Sequence, residues 1–213
     1  MITLYGLNTP NSHKISIALE ELALPYQVQC VDVRAGEHLR DSFREIAPNA
    51  KIPVITDHDS NTTVFESCAI LLYLASKSNR LMPVTPNERW EALQWLFFQA
   101  SAIGPMFGQL AWFTYYAGEP LPYAIDRYRT EVERLFGVVD QRLAGRDWIC
   151  GDYSIVDIAH YGWFNCISAM HFDFGRHVHL SRWFDRMSNR PAVVRGVQVP
   201  SPLSGWDAAA RFG

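Results

Sequence analysis

Over the first eighty residues, hydrophobic and polar positions alternate between two rhythms; beyond them a single rhythm holds. Ile2-Thr3-Leu4-Tyr5 is a short β run ended by Gly6. Ile15, Ala18, Leu19 and Leu22 then recur at i, i+3, i+4 and i+7, one apolar face of a helix. Residues 26–33 alternate again, with Tyr26, Val28, Cys30 and Asp32 on one side, which predicts a second strand. A polar stretch leads to a short helix near residues 38–46. Residues 53–56 and 62–65 read as two strands joined by the turn-rich Asp57-His58-Asp59-Ser60-Asn61. Residues 66–77 complete the series as a helix that buries Ile70, Leu71, Leu72 and Leu74. The order is βαβαββα. Its β-α-β start requires a crossover and therefore a parallel pair, while the later close pair implies a hairpin. The expectation for residues 1–78 is a small mixed-sheet α/β domain.

Residues 79–86 (NRLMPVTP) carry two prolines and read as a linker. From residue 87 to 199 every periodic segment has helical spacing. Residues 89–116 form a long aromatic run in which Gly104-Pro105 predicts a kink or break. Tyr128, Val132, Leu135, Val139 and Leu143 make one 3-4 spaced stripe. Ile155, Ile158, Ala159, Trp163, Cys166, Ile167 and Met170 make another. A further helix is expected over 181–189, ahead of Pro191, and a Pro/Gly-spaced tail over 200–213. Ser154 and Asp157 stand at the N-cap and N3 positions of a capping box, with Tyr153 and Ile158 at the staple positions. That spacing fits capping better than a catalytic Ser–Asp pair. The second part reads as an all-helical bundle.

Composition narrows the function classes. The chain is 48% apolar and 19% charged, which excludes disordered and low-complexity classes. Its formal charge of −3 comes from 19 basic and 22 acidic residues. Neither half has the basic excess that a phosphate backbone or an anionic bilayer attracts, so nucleic acid and membrane are not expected partners. The start MITLYGLNTPNSHKI lacks the charged and apolar regions of a signal peptide, and no apolar run reaches membrane-spanning length. Cys30, Cys68, Cys150 and Cys166 are far apart with no CxxC, which predicts free thiols and a cytoplasmic location. His171, His177 and His179 near Asp173 read as solvated loop histidines, so no metal is expected.

Three places carry candidate chemistry. The loop Asn8-Thr9-Pro10-Asn11-Ser12 lies between the first strand and first helix, at the carboxyl end of a parallel strand where ligands bind. It is either an N-cap cluster or a set of donors beside a helix N-terminus that favours an anion. No cysteine stands there, so any thiol reacting at this place belongs to the ligand. Pro53 opens a strand after Ala50-Lys51-Ile52. Glu66-Ser67 sits where a strand meets a helix, as a first-turn acid or as a pair that holds an ammonium and a carboxylate.

Read together, these segments carry a resemblance. Thr9-Pro10-Asn11-Ser12-His13-Lys14, then Pro48-Asn49-Ala50-Lys51-Ile52-Pro53, then Phe65-Glu66-Ser67 before Ala69-Ile70-Leu71-Leu72-Tyr73-Leu74, resembles the glutathione transferases. With Gln94-Trp95-Leu96-Phe97 and Pro122-Tyr123-Ala124-Ile125-Asp126-Arg127-Tyr128, the chain is most similar to the bacterial nu class, relatives of the yeast nitrogen-regulatory prion protein. The resemblance runs from residue 1 to about 195. It implies a thioredoxin-like domain, a helical domain and a homodimer. It also implies that Ile52–Pro53 is cis and presents the Ile52 backbone to the cysteinyl part of glutathione.

The same resemblance assigns roles. Glu66 and Ser67 would hold the γ-glutamyl ammonium and carboxylate. His38 stands where this class usually has Gln, near the glycyl carboxylate, with Lys51 assisting. Arg127 aligns with an arginine that reaches glutathione across the dimer interface. Asn11 and Thr9 match the positions that face the glutathione sulfur, and Ser12 replaces a usual Gly. The order of preference for thiol activation is Asn11 with Thr9, then Ser12, then Tyr5. The implied activity is glutathione-dependent reduction of disulfides, with weaker conjugation of electrophiles or reduction of peroxides. The thiolate attacks a small-molecule disulfide and a second glutathione resolves the mixed disulfide. Phe107, Trp112, Phe113, Tyr115 and Tyr116 are either bundle core or the second-substrate side. A glutathione-binding protein without turnover is the competing expectation on this fold.

Overall fold

The structure is a computed structural model, of which residues 1–200 are described. Among these the chain divides into two compact units, one of residues 1–82 with 188–200 and one of residues 83–187.

The first unit opens with strand β1 (Ile2–Gly6), helix α1 (Pro10–Leu22) and strand β2 (Tyr26–Cys30). Thr9 caps α1 by accepting from the Ser12 N–H, and Pro10 occupies the first helical position, where no N–H is needed. A 3-10 turn over Glu37–Leu39 and helix α2 (Asp41–Arg44) lead to β3 (Val54–Asp57), β4 (Thr62–Phe65) and α3 (Ser67–Ser78). The strands lie in the order β2-β1-β3-β4. β1 pairs parallel with β2, and β3 pairs antiparallel with both β1 and β4. The crossover and the hairpin are therefore where the periodicity put them. β2 stops earlier than the alternation predicts. After Cys30 the Asp32 carboxylate accepts from the Arg34 and Ala35 amides at 2.9 and 3.2 Å, a local turn that competes with strand pairing.

The sheet is covered on both faces. Leu4 of β1 lies beside Ile55 of β3, both fully buried, and α1 contributes Ile15, Ala18 and Leu19 to the buried set. Tyr5 lies beside Val54 on the opposite face. There Val31, Phe43, Ala47 and Val54 form a cluster against which Tyr5, Ile46 and Ile52 pack.

The second unit is helical: α4 (Pro86–Phe98), α5 (Gly104–Ala111), α6 (Pro122–Leu143), α7 (Ile155–Ala169) and α8 (Val178–Ser188). The break expected at Gly104-Pro105 is instead a widening. Gln99–Ile103 takes π geometry between α4 and α5, because Pro105 has no N–H to return to the preceding turn. Phe107, Phe136 and Phe164 meet with centroids 5.2–5.7 Å apart at the core of this unit. The capping box at Ser154 forms as its spacing predicts. Asp157 accepts from the Ser154 N–H at 3.1 Å, and also from the Ile149 N–H at 3.0 Å and the Trp183 indole at 2.9 Å. Among the described residues no helix is long and apolar enough to cross a membrane.

One element changes units. Helix α9 (Pro191–Gly196), which lies inside the range expected for the bundle, clusters with the first unit. Its residues pack on α1, and Arg190 and Arg195 pair with Glu21 and Glu20 there. The expected tail beyond Pro200 lies outside the described residues.

Candidate functional site

A cleft in the first unit is lined by Asn11, Ala47, Asn49, Lys51, Ile52, Pro53, Phe65, Glu66 and Ser67. Its walls come from three separate stretches: the first turn of α1, the connection from α2 into β3, and the junction of β4 with α3. The sheet order brings these together, since β1 and β4 flank β3 and the helices start at the same end. The Ile52–Pro53 peptide is cis. The side chain of Ile52 packs on the cluster beneath the sheet, which anchors this wall.

At the α1 end the loop's three candidates separate. Asn11 lines the cleft. Thr9 is the N-cap: its Oγ1 accepts from the Ser12 N–H at 3.4 Å, and its hydroxyl donates to Ser12 Oγ at 3.1 Å. Ser12 is 0% exposed, and its Oγ also accepts from the Leu7 N–H at 3.4 Å. The Ser12 hydroxyl thus faces the loop's own backbone, not the cleft. Tyr5, the remaining rival, packs in the cluster under the sheet.

At the α3 end Glu66 and Ser67 both line the cleft. Glu66 has φ +68°, an uncommon conformation for a residue with a Cβ, and such outliers cluster at ligand sites. Ser67 opens α3, where the free N–H groups of the first turn favour an anion.

Behind Ser67 lies a residue to which the sequence assigned no role. Lys14 of α1 is 2% exposed, and its Nζ donates to Ser67 Oγ at 3.2 Å. Burial pulls its ammonium down to about 8, opposed by the nearby Cys68 and Glu66. The available signal was its position one turn ahead of Ile17 and Ala18 on the buried stripe of α1. Its neighbour His13 is also buried, and burial lowers that imidazole to about 4. Burial pushes the Cys68 thiol up, so it is held as a thiol and not as a nucleophile.

Other predicted residues lie elsewhere. Lys51 lines the cleft and is exposed. His38 sits in the 3-10 turn, outside the lining residues, with Nδ1 buried and without a hydrogen-bond partner. Arg127 is exposed on α6 of the second unit. Asn49, Ala47 and Phe65 join the lining without having been singled out for a role. Of the aromatic set, Phe107 is bundle core, whereas Trp112 and Tyr116 stack on each other at 6.0 Å and remain exposed. None of the four cysteines is in a disulfide.

Comparison with known proteins agrees with this architecture. Residues 9–77 match the glutathione S-transferase N-terminal domain and residues 103–191 the C-terminal domain. The disulfide-bond oxidoreductase YfcG of Escherichia coli (strain K12) is 42% identical over 199 residues, which cover 91% of this chain and 93% of that protein. A glutathione transferase from Pseudomonas putida, solved with one glutathione disulfide per subunit, matches with a TM-score of 0.88 at 38% identity. It covers 94% of this chain and 92% of its own. Another from Pseudomonas fluorescens pf-5, solved with two glutathiones bound, matches at 0.88 and 39% identity over 93% of each chain. The chain belongs to the glutathione S-transferase family.

Proposed function

We propose that this protein is a glutathione-dependent disulfide oxidoreductase of the nu class, with weaker conjugating or peroxide-reducing activity. The observation that carries the reading is the composition of the cleft. It combines Asn11, the cis Ile52–Pro53 peptide and the Glu66–Ser67 pair, and none of its lining residues is a cysteine.

The residues present fit glutathione from end to end. Glu66 offers a carboxylate to the γ-glutamyl ammonium, and Ser67 with the start of α3 offers donors to its carboxylate. Ile52 offers backbone groups to the cysteinyl portion. Lys51 and the Asn49 amide lie along the wall for the glycyl carboxylate, with His38 in the neighbouring turn. Arg127 would act on the glutathione of a partner subunit in a homodimer. The exposed Trp90 and Phe97, seven residues apart on α4, support such an interface.

Bound glutathione supplies the chemistry: its thiolate attacks a small disulfide, and a second glutathione resolves the product. The protein's task is to favour that thiolate near neutral pH. Asn11 donates from the cleft wall to the sulfur, and the dipole of α1 acts in the same direction. Thr9 and Ser12 hold the loop that presents Asn11. We place the protein in the cytoplasm, where glutathione is kept reduced.

The test is glutathione-coupled reduction of a model dithiol disulfide beside conjugation of an aromatic chloronitro compound. Fast reduction with slow conjugation is expected. Binding of glutathione without either turnover would replace the enzyme with a ligand-binding protein of the same fold.

A further inference from the structure

Lys14 is a cation built into the interior of the first unit. It lies at the back of the cleft, on the buried stripe of α1 and 3.2 Å from the Ser67 hydroxyl. An apolar side chain of the same length would avoid the desolvation that an ammonium suffers there. A buried charge persists where a nearby charge or a charged ligand compensates it.

We propose that Lys14 is a positioning residue for the ligand's γ-glutamyl carboxylate, acting through Ser67. This rests on the reading of the cleft as a glutathione site. The hydrogen bond has a direction, because an ammonium only donates. With Lys14 donating into Ser67 Oγ, the serine's own proton is directed away from Lys14; the Cys68 sulfur shares a hydrogen bond with that hydroxyl, and a carboxylate in the cleft is the stronger acceptor for it. Ser67 is thereby set as a donor, and the positive charge behind it adds to the dipole of α3. Glu66, the residue before it, supplies the opposite charge for the ammonium. Lys14 and Glu66 together match the zwitterionic end of the ligand, which Glu66 alone would leave half-matched. Among the described residues, the titratable groups that act on Lys14 are Cys68 and Glu66 at the start of α3.

The experiment uses S-methylglutathione, which has no thiol to titrate, and two analogues of it. One lacks the α-carboxylate of the γ-glutamyl group and the other lacks the α-ammonium. Calorimetric titration of the wild-type chain should show at least a tenfold weaker affinity for each analogue. In Lys14→Met the loss on removing the carboxylate should shrink below threefold, while the loss on removing the ammonium persists. A folded Lys14→Met chain that discriminates for the carboxylate as the wild type does would overturn the proposal, since packing alone cannot couple to one ligand group. Should that variant not fold, nitrogen NMR of the Lys14 Nζ in the wild-type chain decides. Its titration midpoint should rise with S-methylglutathione and stay unmoved with the decarboxylated analogue; equal midpoints would reject the proposal. Failure of the wild-type chain to bind S-methylglutathione would instead remove the glutathione reading itself.

Discussion

Ser16 Oγ in the middle of α1 donates a 2.7 Å hydrogen bond to the Gly196 carbonyl at the end of α9, across 180 residues of chain. Beside this bond the two helices approach so closely that only a glycine fits. A Cβ on Gly196 would lie 2.6 Å from the Ile17 Cα and 2.7 Å from its nitrogen. Both are backbone atoms and cannot rotate aside. α1 carries Asn11 at one end and Lys14 one turn in, so the helix that α9 clamps is the one that positions the cleft.

Gly196→Ala should therefore destabilise the first unit by about 1–3 kcal/mol or more, as overpacked sites do. Denaturant unfolding followed by circular dichroism would read this as a lower midpoint. A midpoint equal to wild type would mean that α9 can move off α1 at no cost.

A second close contact concerns the loop. A Cβ on Gly6 would stand 2.8 Å from Ser12 Oγ, whose position is held by the Leu7 N–H and Thr9. Gly6→Ala should cost about 1–2 kcal/mol, and Ser12→Gly in the same chain should recover part of it, a coupling of about 1 kcal/mol. Ser12→Ala should keep the disulfide-reductase rate within about threefold, because the hydroxyl faces the loop. A hundredfold loss of rate in a folded Ser12→Ala chain would return Ser12 to the catalytic group.

Asn11→Ala should lower kcat/KM for disulfide reduction by about ten- to a hundredfold, the worth of one hydrogen bond to a charged group. Glutathione affinity should change little. Steady-state kinetics beside calorimetry separates the two quantities; an unaltered rate would move thiol activation to Thr9 or to the helix dipole alone.

Glu66→Gln keeps the size of the side chain and removes its charge. Affinity for glutathione should fall by about tenfold or more, since the ligand's ammonium loses a charged partner. Equal affinity in a titration would take Glu66 out of the ligand's reach. High salt should weaken the wild-type complex less than it would a surface pair, because the site is a cleft.

His13 gives the protein an acid limit. Burial lowers its imidazole to about 4 from the usual 6.5, so in this range the unfolded chain binds the proton before the folded one. The contribution of neutral His13 is intact above about pH 6.5 and is lost progressively as the pH falls toward 4. The full span corresponds to about 3 kcal/mol. Stability of the wild-type and His13→Gln chains should therefore converge or cross between pH 6.5 and 4, with the variant showing the flatter profile. Parallel profiles would show that His13 stays hydrated in the native state.

Much of this molecule is legible in its residues alone. The alternation in Ile2–Gly6, the 3-4 spacing after Ile15 and the turn before Thr62 specify βαβαββα, because side-chain period follows directly from backbone geometry. The capping box at Ser154 is legible for the same reason: all its partners lie within four residues. Asn11, Ile52–Pro53, Glu66 and Ser67 were identifiable as a set through resemblance, and the structure brings them to one cleft. Three things required tertiary structure. Ser12 and Asn11 are adjacent and similar in chemistry, and only the fold of the loop turns one inward and the other to the cleft. Lys14 is polar in sequence, and only the approach of α3 makes it an interior cation. α9 has the helical rhythm of the bundle, yet it joins the first unit, because the Ser16 hydrogen bond, the two arginine pairs and the glycine contact are all made with α1. Period and capping are local properties of the chain, whereas burial and partnership depend on what long-range packing brings alongside.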